Sequence, residues 1–429
     1  MSNSERFEHI SKVKGGLEFP GDKSISHRAV ILSSLAKGKS LVKNLSAGED
    51  VKSSLKCFRQ LGVEIEIEDK VCVIKGKGFK GLNKPDSPLD AGNSGTLARL
   101  IAGILAVQKF ESIITGDKSL SSRPMKRILV PLNSMGARIT GTPDSTLPLR
   151  ILPPENLAPI NYELPVASAQ VKGAVLLAGL HIDGTTTVIE NSLSRNHTEL
   201  MLGLKTELKD GKYYSSVSKD NYPAPGEYLI PGDISSAVFF IILTLLTPGS
   251  ELLIKDVSLN PSRTGILDIL IKMGGKIQVI NRKESFGEFY GDILVTSSKL
   301  RNIDLSGYPV VNFIDEIPVL AVAGIFAEGD FELKSAKELR FKESDRIKAV
   351  CENLRVTGLE IDELEDGFII SGHIKKKRPA FTSFDDHRIA MAFGILSSLL
   401  EDGGKVDNFD CVKISNPGFL HQLNQVSHG

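Results

Sequence analysis

The sequence predicts an α/β protein of two connected halves, each assembled from three similar units in which a helix is followed by two or more strands. Three observations carry that expectation. A phrase near the start, Phe19-Pro20-Gly21-Asp22-Lys23-Ser24-Ile25-Ser26, returns near the midpoint as Ile230-Pro231-Gly232-Asp233-Ile234-Ser235-Ser236-Ala237. A helix-like segment ending in a glycine step and leading into a β-prone stretch recurs at Gly62, Gly136, Gly274 and Gly358, with a weaker copy at Gly203. Composition is that of an ordinary globular chain, 24 % charged and 41 % hydrophobic over 429 residues, long enough for two or three cores.

In each copy of the P-G-D phrase an apolar residue enters a Pro-Gly turn, and Asp or Ser can then cap the apolar helix that follows. The recurring glycines suit the position after a helix C-terminus, where positive φ is required. Alternating helix and strand segments at this spacing give six units, three per half. The competing view is that L-G-x-x-I marks any helix-to-strand junction. No low-complexity linker separates the halves, so they are expected to be intimately connected.

Charge and composition exclude several classes. The 52 Lys+Arg balance the 52 Asp+Glu, which leaves no general field for gripping nucleic acid. The longest apolar runs, residues 237–246 and 317–327, fall well short of the roughly 20 residues that span a bilayer. The opening Met-Ser-Asn-Ser-Glu-Arg is too polar for a signal peptide. Four scattered cysteines without a C-x-x-C pair, and eight histidines without H-E-x-x-H, suit reduced thiols and no zinc site. The expectation is a soluble, cytoplasmic, metal-independent protein with no nucleic-acid or membrane partner.

Several segments could carry chemistry. In residues 20–28 a turn opens a helix whose free N–H groups form an anion site, with Lys23 and Ser24 at its mouth and Arg28 one turn on. A capped helix with solvated charges is the plainer alternative. Gly38-Lys39-Ser40 ends like a phosphate-binding loop, but Ser33 stands where its first glycine is required. Asp90-Ala91-Gly92-Asn93-Ser94-Gly95-Thr96 offers small residues before the apolar helix 97–107, so a ligand could approach the backbone closely. In Ser121-Ser122-Arg123-Pro124-Met125, Pro124 is expected at the first helical position with Arg123 just outside, able to clamp a phosphate or to be an ordinary surface arginine. Asn312-Phe313-Ile314-Asp315-Glu316-Ile317-Pro318 places two carboxylates in an apolar context, where burial raises a carboxyl pKa toward values useful for proton transfer. Lys342-Glu343-Ser344-Asp345-Arg346 could supply two cations and an acid, or simply a salt-bridged helix face. Asp385-Asp386-His387-Arg388 opens the apolar helix 389–400.

Taken together, residues 20–28, 92–96, 123–125, Ala167-Ser168-Ala169-Gln170-Val171-Lys172, Ser194-Arg195-Asn196-His197-Thr198-Glu199, 314–316, 342–346 and 386–388 resemble the EPSP synthase family (3-phosphoshikimate 1-carboxyvinyltransferases). They follow the family's order over nearly the whole chain. The resemblance implies a two-domain enolpyruvyl-transferase-like fold, each domain three copies of a βαβαββ unit, an inside-out α/β barrel. The expected domains are residues 20–230 and residues 1–19 plus 231–429, closing like jaws on an active site in the cleft between them. The implied reaction transfers the enolpyruvyl group of phosphoenolpyruvate to the 5-hydroxyl of shikimate 3-phosphate, releasing phosphate through a tetrahedral ketal, with no cofactor. Its place is the shikimate pathway of aromatic amino-acid biosynthesis, and a monomer is expected.

The resemblance assigns Lys23, Ser24, Arg28, Ser168, Gln170, Arg195, Asp315 and Lys342 to shikimate 3-phosphate. It assigns Lys23, Gly95, Arg123, Gln170, Arg346 and Arg388 to phosphoenolpyruvate. Asp315 is the expected acid/base at the 5-hydroxyl, Glu343 the candidate for proton traffic at the methylene, and Lys23 can assist either. Seven site cations against two site acids would make a cationic cleft for two anionic substrates. The Ser168-Ala169-Gln170 triad and residues 194–199 look like the glyphosate-tolerant branch, whereas Gly95, replaced by Ala in some tolerant members, is retained. Where some members place a C-terminal lysine this chain has Ile414, so that contact is not carried over. The alternatives are the sister UDP-N-acetylglucosamine enolpyruvyl transferase, whose reactive cysteine has no counterpart in residues 116–123, and a non-catalytic phospho-ligand binder on the same scaffold.

Overall fold

The computed structural model describes residues 4–68, 71–78 and 81–427; residues 1–3, which open the polar N-terminus, lie outside this set. The chain divides into two compact units. The inserted unit comprises Gly21–Ile230 with Glu284–Glu288, and the flanking unit comprises Met1–Pro20, Pro231–Lys283 and Phe289–Gly429.

Among the described residues the inserted unit holds three open four-stranded sheets, and each follows one plan. In the third, Asn161–Glu163 pairs in parallel with Thr186–Glu190, which pairs antiparallel with Lys212–Val217, with Thr206–Lys209 at the edge. The helix Ala169–Gly179 makes the parallel crossover and His197–Met201 precedes the final hairpin, so the order is βαβαββ. The second sheet repeats this plan with Leu89–Asp90, Ser112–Thr115, Arg138–Thr140 and Leu149–Leu152. The first borrows its opening strand from the far end of the unit, Glu227–Leu229 lying parallel to Lys37–Lys43.

The flanking unit contains one four-stranded and two three-stranded sheets. Its first sheet takes Lys14–Glu18 from the N-terminal segment, parallel to Glu251–Ser258. Its last is completed by Ser4–Phe7, antiparallel to Gly404–Asp407. The glycine steps have the backbone expected of them: φ is 85° at Gly62, 94° at Gly136, 65° at Gly203, 102° at Gly274 and 88° at Gly358, a region open to glycine at little steric penalty.

Each core is built on three apolar helices. In the inserted unit these are Lys23–Leu35, Gly95–Leu105 and Ala169–Gly179. In the flanking unit they are Ile234–Leu246, Ile317–Phe326 and His387–Leu399. They are hydrophobic on nearly every face because each is covered all round by its sheets and its neighbours, not because any spans a membrane. No helix among the described residues is long and apolar enough to do so. Gly103 shows how tightly the inner helices pack: a Cβ there would lie 2.2 Å from the carbonyl oxygen of Ala174 on the neighbouring helix.

The inner helices decide where chemistry can occur. Five of the six N-termini are capped by Asp22, Ser94, Ser168, Asp233 and Asp386, whose side chains accept from backbone N–H groups of the first turn; Ile317–Phe326 follows Glu316 with no side-chain cap. Residues 20–28, 90–96, 167–172, 312–318 and 385–388 lie at the N-terminus of an inner helix, whereas 121–125, 194–199 and 342–346 lead into the outer helices Lys126–Ser134, His197–Met201 and Arg346–Val356.

Candidate active site

In the inserted unit the P-G-D turn ends at Asp22, and Lys23 is the first residue of its helix. Lys23 Nζ donates to Asp50 Oδ2 at 3.0 Å, and both side chains are largely buried. Arg28 donates from Nε to Thr198 Oγ1 at 2.7 Å and from NH1 to the carbonyl oxygen of Ser24 at 2.9 Å. Thus the 194–199 segment and the P-G-D helix meet through one guanidinium. Burial draws the Arg28 pKa down to about 10, against the pull of Glu199, Glu288 and Asp22, so it stays a cation at neutral pH; Arg195 nearby adds to the lowering.

Arg123 NH2 donates to Asn93 Oδ1 at 2.9 Å and Ser119 Oγ at 3.1 Å, while Asn93 Nδ2 donates to Asp117 at 2.7 Å. Pro124 is not the first helical residue. The helix runs Lys126–Ser134 with Met125 at its cap position, and the Met125 N–H donates to the Ser145 carbonyl at 2.8 Å. Gln170 accepts from Arg99 NH1 at 2.7 Å and donates to Thr96 Oγ1 at 3.0 Å, which ties the Ser168-capped helix to the Gly95 helix. A Cβ on Gly95 would stand 2.7 Å from Arg99 NH1 and 3.4 Å from Arg123 NH1.

His27 sits behind these groups. Its Nδ1 lies 2.6 Å from Ser54 Oγ and its Nε2 3.2 Å from Ser94 Oγ. Ser94 Oγ also accepts from the Leu97 N–H, so His27 ties the Asp22-capped helix to the Ser94 cap of the next inner helix. Burial, then Lys23 and Arg28, lower its pKa to about 3 and keep the ring neutral. Lys172 is wholly buried, with Nζ 2.5 Å from Glu190 and 2.7 Å from Glu199. His197 Nδ1 lies 2.6 Å from Glu288.

The flanking unit gathers the acids. Asp315 Oδ1 lies 3.3 Å from Lys342 Nζ and 3.3 Å from Arg346 NH1. The Asp315 carbonyl accepts from Arg388 NH1 at 3.0 Å, and Arg388 NH2 is 4.0 Å from Asp315 Oδ2. Arg346 also donates to Glu343 Oε2 at 2.6 Å and to Asp386, through Nε at 2.8 Å and NH2 at 3.3 Å. Burial works against the Arg346 charge, but Asp386, Glu343 and Asp315 outweigh it and raise its pKa. Burial likewise opposes the Asp386 charge, yet Arg346 holds that carboxyl below its ordinary pKa.

Three expectations are corrected here. Lys342 and Arg346 do not share a helix face: the helix begins at Arg346 with Asp345 as cap, Lys342 is extended, and the two cations converge on Asp315 instead. The apolar context of residues 312–318 is not what the two carboxylates meet, because Lys342, Arg346, Arg388 and Arg263 reach them from distant parts of the chain. The tally of seven cations to two acids is also incomplete. In the flanking unit Arg263 joins Lys342, Arg346 and Arg388, while Asp233, Glu316 and Asp386 join Asp315 and Glu343, so five acids meet four bases.

Sequence reasoning did not single out Asp50, Arg99, Arg263 or Asp386 as partners, since each is defined by a contact far along the chain. At the C-terminus, Ile414 ends the turn Phe409–Ile414 and packs on the core, while Lys413 pairs with Asp410 at 2.6 Å. All four cysteines are buried, and burial pushes Cys57, Cys351 and Cys411 up to about 12 and Cys72 to about 11, far from nucleophilic thiols. No group of three His, Cys, Asp or Glu side chains is arranged as metal ligands among the described residues.

Comparison with known proteins identifies the family. The family model EPSP synthase (3-phosphoshikimate 1-carboxyvinyltransferase) matches residues 7–423. The 3-phosphoshikimate 1-carboxyvinyltransferase of Salinibacter ruber is 45 % identical over 99 % of both chains, and that of Oceanobacillus iheyensis 46 % over 96 % of both. The solved EPSP synthase of Acinetobacter baumannii superposes with a TM-score of 0.86 at 38 % identity, covering 99 % of this chain and 98 % of that one. A family model covering nearly the whole chain, relatives about 45 % identical over its length and a solved structure of the same fold agree, and the chain belongs to the EPSP synthase family.

Proposed function

We infer that the chain catalyses the family's reaction with the residues described above: enolpyruvyl transfer from phosphoenolpyruvate to the 5-hydroxyl of shikimate 3-phosphate. In the addition step the 5-hydroxyl oxygen bonds to C2 of phosphoenolpyruvate, the hydroxyl proton departs and the C3 methylene gains a proton. The tetrahedral ketal then loses phosphate from C2 and a proton from C3, giving the enol ether product. Asp315 takes the hydroxyl proton, Glu343 serves the methylene, and Lys23 assists.

The observation that carries this reading is Arg346, one guanidinium bound to Asp315, Glu343 and Asp386 together. It sets two proton-transfer carboxylates at fixed positions around a cation, and a mere phospho-ligand binder would need the cation without the acids. Arg123, Arg346, Arg388, Gln170 and the Gly95 helix terminus hold phosphoenolpyruvate. Ser24, Arg28, Ser168, Gln170, Arg195 and Lys342 hold shikimate 3-phosphate, with Lys23 reaching both.

The test is phosphate release from phosphoenolpyruvate with shikimate 3-phosphate as acceptor and no added metal. Release is expected. Silence with this acceptor, together with release on UDP-N-acetylglucosamine, would move the chain to the sister activity.

A further inference from the structure

The second P-G-D-x-S phrase does not offer its serine as the first does. Ser24 is half-buried at its helix mouth, whereas the matching Ser235 is buried and turned into the flanking unit. There Ser235 Oγ donates to Glu316 Oε1 and accepts from Arg263 NH2. Asp233, the cap of the same helix, lies 3.6 Å from Arg263 NH2. Glu316 is 1 % exposed and stands between two guanidinium groups, 4.0 Å from Arg263 NH2 and 3.7 Å from Arg388 NH1. Its second oxygen, Oε2, is buried without a hydrogen-bond partner.

A carboxylate this deep is retained at a desolvation penalty, so its place between two cations has to be compensated by both. It also cannot be replaced by its neighbour. The Asp315 carboxylate is already shared by Lys342 and Arg346; Asp315 meets Arg388 NH1 through its backbone carbonyl, and its Oδ2 lies 4.0 Å from the other end, NH2. Glu316 is therefore the side-chain carboxylate behind the NH1 end of Arg388. A guanidinium pinned at NH1 by a carbonyl and a carboxylate keeps its plane fixed, which a planar, two-pronged contact to phosphate or carboxylate requires.

We propose that Glu316, held by Ser235 and balanced by Arg263, is a positioning residue for phosphoenolpyruvate that fixes the Arg388 guanidinium, so that the second P-G-D phrase acts on the donor through this buried chain. The proposal rests on Arg388 being a phosphoenolpyruvate ligand.

Removing Glu316 alone would leave two buried arginines facing each other, so the informative variant is the charge-neutral pair Glu316→Gln with Arg263→Met. It removes one charge of each sign and leaves the local field nearly unchanged, and such buried arrays tolerate apolar replacement. With the variant verified as folded by its thermal transition, KM for phosphoenolpyruvate should rise about tenfold while KM for shikimate 3-phosphate stays within about twofold. Glu316→Asp should fall between the two, and Ser235→Ala should shift the same constant in the same direction by less. An unchanged phosphoenolpyruvate KM in the folded pair, or equal rises for both substrates, overturns the proposal. Arg388→Gln separates the levels: if it leaves the phosphoenolpyruvate KM untouched, the ligand assignment fails as well. If it raises KM while the charge-neutral pair does not, only the positioning role of Glu316 fails.

Discussion

Asp386 grips Arg346 through two contacts, Nε to Oδ2 at 2.8 Å and NH2 to Oδ1 at 3.3 Å, while Oδ1 also accepts the Arg388 N–H at 2.9 Å to cap the inner helix His387–Leu399. One buried carboxylate thereby sets the start of that helix and the orientation of a guanidinium assigned to substrate. Asp386→Ala should lower unfolding free energy by about 3–5 kcal/mol, since it strands a buried cation and removes a cap. Asp386→Asn, which retains the cap, should cost less. Urea denaturation measures both; a loss under about 1 kcal/mol for the alanine variant would show that Arg346 does not depend on this pair.

Stability should fall in mild acid because of His27 and His181. Both are lowered from 6.5 to about 3, chiefly by burial, so the unfolded chain takes up protons in this range that the folded chain refuses. Their contribution is complete above about pH 6.5 and is lost progressively as pH falls toward 3, at up to about 1.4 kcal/mol per pH unit for each group. Asp386, also depressed, contributes stability that is lost only below the ordinary carboxylate range near pH 4. His27→Gln should flatten the dependence of unfolding free energy between pH 7 and 5 relative to the parent. An identical slope would mean that His27 takes up its proton in the folded state.

Gly95→Ala should act chiefly on the donor side. The new Cβ would press on the far end of Arg99, 2.7 Å away, and lie 3.4 Å from Arg123. Displacing Arg99 weakens its bond to Gln170. A loss of about 1 kcal/mol, roughly fivefold in KM for phosphoenolpyruvate, is expected, with a smaller rise in KM for shikimate 3-phosphate through Gln170, which is assigned to both substrates. Steady-state kinetics with each substrate varied in turn would reveal the opposite pattern if Gly95 lined the acceptor.

The four thiols should be silent in the native protein. Their burial predicts negligible reaction with a thiol reagent at neutral pH and four equivalents after denaturation. A fast-reacting native cysteine would contradict the burial of all four.

Much of the fold could be read in advance because its signals are local. A capped P-G-D turn, an apolar run and a glycine at positive φ each depend on a few adjacent residues, as at Asp22, Gly62 and Gly274. Two things were not local. The opening strand of the first repeat comes from Glu227–Leu229 and the closing strand of the last from Ser4–Phe7, so simple counting along the chain finds those units incomplete. The turn Glu284–Glu288 packs with the inserted unit although its strands belong to the flanking one, with Phe286 stacked on Tyr228 at 4.1 Å.

The site divides in the same way. Residues with family motifs, such as Lys23, Arg123 and Asp315, were visible as residue types in sequence. Their partners Asp50, Asn93 and Arg346 follow from contacts that only the tertiary structure defines. Glu316 stood beside Asp315 in plain view, but its role depends on Arg263 and Arg388, from two other segments.

Proton transfer at Asp315 is tested by the turnover of Asp315→Asn measured beside its affinity for shikimate 3-phosphate. Loss of the acid/base should lower kcat by about 10²–10⁴-fold while the dissociation constant for shikimate 3-phosphate changes by only a few-fold. A variant that binds shikimate 3-phosphate normally and releases phosphate at a near-parental rate would place the proton transfer elsewhere and contradict the role assigned to Asp315.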